Sequence, residues 1–161
     1  MRGRRLVLAL TVGLLLPNEA IGALELSTDH RAVSFGVMKP GEEKTLSQSG
    51  SFHNEITCAS TGGVAWYVKI SLLQPLSAGG EIIPPEALQW QLTQTDGHGS
   101  VSSQNQFRNF SLAPDLVYIS ASDEAAGTPV HFQFRYALTL PEAQVAGVYQ
   151  TTIRLTLTEV L

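Results

Sequence analysis

Strict alternation of apolar and polar residues governs the last part of the chain. Tyr149, Thr151, Ile153, Leu155 and Leu157 fall on one side of an extended backbone, and Gln150, Thr152, Arg154, Thr156 and Thr158 fall on the other. Just before them, Phe132, Phe134, Tyr136, Leu138 and Leu140 alternate in the same way with His131, Gln133, Arg135, Ala137 and Thr139. A repeat of two residues is the side-chain period of a strand, and it cannot form the apolar stripe of a helix. Strands with one apolar face need a second layer to cover it. The segment Pro141–Gly147 between the two runs is short, which predicts a hairpin of two long central strands.

Further runs repeat the pattern. Trp66, Val68, Ile70 and Leu72 oppose Tyr67, Lys69 and Ser71, while Leu88, Trp90 and Leu92 alternate with Gln89, Gln91 and Thr93. Leu116–Ile119 is apolar on both sides, Ala32–Val37 and Ile56–Ser60 add two strands, and Leu24–Ser27 reads as an extra edge strand. Pro40-Gly41, Gly62-Gly63, Gly79-Gly80, Pro84-Pro85, Asp96-Gly97 and Gly127-Thr128-Pro129 punctuate the runs with turn chemistry. Glu142–Val145 has room for a single helical turn, and 95–106, rich in Gly, Ser, Gln and Asn, reads as a mobile surface loop. The expected fold is all-β: an immunoglobulin-like antiparallel β-sandwich of about 7–9 strands in one domain, residues 24–161.

The first residues have a different character. Arg2, Arg4 and Arg5 precede an unbroken apolar or small run from Leu6 to Leu16, Pro17 ends the run, and small residues follow at Ala20, Gly22 and Ala23. This is the layout of a cleavable export signal over residues 1–23. The run is shorter than the ~18–20 residues that span a bilayer. Export to the periplasm, cell surface or extracellular space is therefore expected, with no membrane span in the mature chain. The segment carries three of the 10 basic residues and one of the 14 acidic ones, so a mature chain has 7 against 13 and a net charge of −6. Such a balance argues against nucleic acid and anionic membranes as partners. The single cysteine, Cys58, allows no internal disulfide. Its alternation with Ile56 reads as a small core residue; an intermolecular bridge would require it to be exposed.

Catalysis needs convergent polar groups, and the four histidines, at 30, 53, 98 and 131, share no ligand spacing. Asp96-Gly97-His98-Gly99 is a compact polar group, but a turn uses Asp-Gly as readily as a metal does. No Gly-x-Ser-x-Gly elbow occurs. The sequence predicts no enzyme, no cofactor and no metal. Asn109-Phe110-Ser111 matches an N-glycosylation acceptor, which matters only in a eukaryotic pathway. Trp66, Tyr67 and Trp90 are the aromatic residues a glycan would contact. Both indoles sit in register with aliphatic neighbours, which favours the core, whereas Tyr67 points the other way.

Two stretches carry a resemblance. Val33-Ser34-Phe35-Gly36-Val37-Met38-Lys39-Pro40-Gly41 resembles the first strand and turn of bacterial secreted Ig-like domains, and Gly147-Val148-Tyr149-Gln150-Thr151-Thr152-Ile153 resembles the terminal strand of fimbrial and cell-surface sandwiches. Trp90-Gln91-Leu92 is similar to the Trp-x-Leu motif of Gram-positive wall-binding domains, whose second copy is replaced here by Leu155-Thr156-Leu157. Chaperone-assembled pilins usually carry a disulfide, which this chain cannot form internally. The resemblance implies a structural or binding role without chemistry. The expectation is an envelope or surface assembly protein that associates with itself or other proteins through strand edges, with Leu24 and Leu26 in a strand-exchange segment. The alternative is a carbohydrate- or cell-wall-binding module.

Overall fold

The computed structural model describes residues 7–14, 23–46 and 54–161. In chain order its strands are β1 (Val7–Leu14), β2 (Leu24–Thr28), β3 (Ala32–Gly36), β4 (Glu43–Leu46), β5 (Asn54–Ser60), β6 (Tyr67–Leu72) and β7 (Leu76–Ala78). They continue with β8 (Glu81–Ile83), β9 (Leu88–Thr95), β10 (Ser100–Val101), β11 (Arg108–Asn109), β12 (Asp115–Ile119), β13 (Val130–Thr139) and β14 (Val148–Thr158). The all-β expectation holds, and the strands form two sheets. One has the order β10-β12-β6-β14-β1-β3, with β7 pairing to β14 and β8 to β7. The other has the order β11-β9-β13-β5-β2, with β4 also on β13.

One core serves both sheets. Tyr118 on β12 meets Phe132 on β13 edge to face, with ring centroids 4.9 Å apart, and Trp66 lies 5.5 Å from Tyr118. Trp90 packs on Phe134 at 6.1 Å, and Phe110 stacks on Tyr136 at 6.2 Å. Apart from Ala137, the buried residues of β13 and β14 are those that the alternation puts on one side, including Phe132, Phe134, Tyr149, Ile153 and Leu155.

Three expectations need correction. First, β13 and β14 do not form a hairpin: β13 pairs with β4, β5 and β9, and β14 with β1, β6 and β7. Segment 141–147 carries the chain from one sheet to the other. Gln144 Nε2 donates to the Tyr149 hydroxyl, which donates to the Val145 carbonyl, and this fastens the crossing. A Cβ at Gly147 would meet Ala78 Cβ at 3.0 Å, so the crossing leaves little space for a side chain there. Instead of a helix, residues 142–143 form a turn closed by Gln144 N–H to the Pro141 carbonyl.

Second, among the described residues the stretch 24–161 holds the thirteen strands β2–β14 rather than about 7–9, because β4, β7, β8, β10 and β11 are too short for periodicity to reveal. Third, segment 95–106 is fastened to the core and contains β10, paired to β12. The sheets also contain a parallel pair, β1 with β14. His53 and the n-region arginines lie outside the described residues.

Candidate functional site

A slot lies between β3 and β14 in the first sheet. β1 fills it, running parallel to β14 from Val7↔Val148 to Leu14↔Leu155 and antiparallel to β3 from Leu8↔Gly36 to Thr11↔Ala32. Among the described residues β3 has no other sheet partner; β14 has β6 and β7 on its far side. The slot has an apolar floor. Val33 and Phe35 of β3 and Tyr149, Ile153 and Leu155 of β14 are fully buried. Outside this ladder, β3 is held by Lys44, whose Nζ donates to the Phe35 carbonyl at 2.5 Å. The strand in the slot lies within the apolar run that the sequence presents as an export signal.

Leu24 and Leu26 lie elsewhere. β2 pairs antiparallel with β5 of the same chain, Leu24↔Ser60 to Thr28↔Ile56, and forms the edge of the second sheet. Leu26 is buried against the core, and a groove of about 390 Å³ runs beside it over Thr57, Ala59 and Pro129. Donating this segment to a neighbour would therefore break a ladder already formed within the chain. Its alternation suits an internal edge strand equally well.

The aromatic residues proposed for ligand contact divide. Trp66 and Trp90 are both 0% exposed, so neither offers a ring face to a glycan, and their assignment as contacts is withdrawn. Trp66 Nε1 donates to the Glu124 carbonyl, and its backbone N–H donates to Ser120 Oγ. Arg108 sits over the Trp90 ring at 5.7 Å. Tyr67 is half-buried on the opposite side of β6. Cys58 is fully buried, and desolvation pushes its thiol up to about 12, so it presents no surface for an intermolecular bridge.

The Asp96–Gly99 group is built into a polar latch. Glu124, 3% exposed, accepts from the Tyr118 hydroxyl, from His98 N–H at 2.6 Å and from Ala121 N–H at 2.7 Å. Gly99 N–H donates to the Tyr118 hydroxyl at 2.6 Å. Gly97 and Gly99 lie so close to the Tyr118 ring that a Cβ at either would collide with it. Two short glycines thus let the loop backbone reach a buried carboxylate. Asp96 turns the other way and binds His131 twice, at the backbone N–H and at Nδ1, both at 2.7 Å. Sequence reasoning missed Glu124, because a carboxylate in a short polar turn carries no signal that it is buried.

Around this pair lies a shallow polar cleft of about 220 Å³, lined by Glu55, Gln94, Thr95, Asp96, His131 and Gln133. No group of three or more His, Cys, Asp or Glu side chains suited to a metal ion occurs among the described residues. No helix among them is long and apolar enough to cross a membrane. Asn109 is exposed and accepts from Gln89 Nε2.

Comparison with protein families, with curated proteins and with solved structures finds no match. Function must be argued from the chain alone.

Proposed function

We propose that this chain is an exported, non-enzymatic structural or assembly subunit of the cell envelope or surface. In this reading it is an immunoglobulin-like sandwich that joins other proteins by strand pairing. One observation carries it: the only sheet partner of β3 among the described residues is β1, and β1 lies inside the predicted export signal. Removing residues 1–23 would leave β3 without a ladder and β14 with an open edge. Val33 and Phe35 would lose part of a burial worth at most about 1.5–3 kcal/mol each, and the unpaired backbone groups would add to the cost. A strand supplied by another protein restores both terms at once, as β-augmentation does at open sheet edges.

The test compares the full chain with one beginning at Leu24. Amide hydrogen exchange is expected to show Val33–Phe35 and Tyr149–Leu155 protected in the full chain and open in the shorter one. Sedimentation of the shorter chain is expected to show concentration-dependent association. A monomer with full protection at β3 would overturn the proposal.

The polar cleft at Asp96 and His131 supports a second reading, a glycan-binding module without an aromatic platform. Its carboxylate, imidazole and amide groups suit sugar hydroxyls. Chemical-shift changes at His131 on titration with N-acetylglucosamine oligomers would support it, and their absence at millimolar sugar would remove it.

A further inference from the structure

The same slot carries a regulatory consequence, which rests on reading it as the assembly site. We infer that the uncut chain is self-blocked: Val7–Leu14 occupies in cis the place an incoming strand would take, and cutting the chain between this segment and β2 opens the slot. The register supports this. β1 pairs with β14 along its whole length and covers β3 from Ala32 to Gly36, so no room remains between them for a second strand. Its tether to β2 is only residues 15–23. A tether of so few residues holds a segment at an effective concentration of order millimolar. An external strand of equal intrinsic affinity, offered at micromolar concentration, is outcompeted roughly 1,000-fold. After the cut the segment is an ordinary dilute competitor, and that advantage disappears. Cleavage then does more than detach an address: it arms the subunit.

The inference is tested on the full chain with a site-specific protease site placed between residues 15 and 22. The probe is a fluorescein-labelled, lysine-flanked peptide with the sequence of residues 6–15. The uncut chain is expected to bind this peptide at least 100-fold more weakly than the chain that has been cut and dialysed. A second variant, Ala9→Cys with Ser34→Cys, places cysteines at paired positions. Oxidation should hold the segment in the slot and abolish peptide uptake even after the cut, and reduction should restore it. Equal binding by uncut and cut chains would overturn self-blocking alone. A folded cut chain that binds no peptide would overturn the strand-acceptor reading beneath it.

Discussion

The Tyr118 hydroxyl lies 2.8 Å from each carboxylate oxygen of Glu124, in a part of the core where both residues are almost fully covered. The carboxylate gathers donors from β12, from the loop before β10 and from the turn that precedes Glu124 itself. It thereby ties the loop before β10 and the turn after β12 to one buried acceptor.

Glu124→Ala is expected to destabilise the fold by about 3 kcal/mol or more, because it leaves the Tyr118 hydroxyl and the His98 and Ala121 amides without their acceptor. Tyr118→Phe removes one donor and the acceptor of Gly99 N–H, for a loss of about 1–3 kcal/mol. Urea unfolding measures both. A Glu124→Ala midpoint equal to wild type would show that the latch contributes nothing.

Alkaline pH probes the same region. Burial, reinforced by the hydrogen bond to Glu124, raises the Tyr118 phenol above its ordinary 10, and burial does the same for Tyr136. In the unfolded chain both ionise near pH 10, so above that pH the unfolded state holds fewer protons and stability falls as pH rises. Tyrosinate absorbance should show these two residues resisting titration until the chain unfolds cooperatively. Smooth titration of all four tyrosines near pH 10 would contradict the buried placement.

Asp96 sets an acid-side effect. Burial pushes its carboxyl upward, but the backbone N–H, the imidazole and the charge of His131 outweigh this and hold it below the ordinary value of 3.8. Because the folded value is depressed, the stability it contributes is present above the unfolded pKa and is lost as pH falls through the folded one. Asp96→Asn should flatten that part of the acid unfolding curve without altering the alkaline limb. An unchanged acid limb would separate Asp96 from the pH response.

Cys58 should be chemically silent. With its thiol raised to about 12 by burial, the native chain is expected to resist Ellman's reagent at pH 8 and to react fully in denaturant. Rapid native reaction, or disulfide-linked dimers of folded chains, would place the thiol at the surface.

The legible parts of the fold are those in which one physical signal dominates. β9, β13 and β14 are long and have one face in the core, so alternation marks them and selects Trp90, Phe132 and Ile153 for burial. Alternation says which side a residue faces, not which sheet receives it, and β13 and β14 therefore looked like a hairpin. β10 and β11 are held by neighbours rather than by any pattern of their own. The slot was illegible for another reason: an unbroken apolar run such as Leu6–Leu16 suits a signal segment and an interior strand equally. The Glu124 latch was hidden because its partners converge only after the chain has folded.

The pairing of β1 with β14 joins Val7 to Val148, nearly the whole length of the chain apart. Contacts this distant in sequence place the protein among slow folders, on the millisecond-to-second scale typical of sheets closed by non-local pairing. The central sheet cannot close around its first strand until its last one has been synthesised and has reached the same side of any membrane. During that interval the apolar faces of β3 and β14 are open to aggregation. A chain built this way depends on timing, and a holding chaperone or a prompt partner would raise its yield more than any single core substitution.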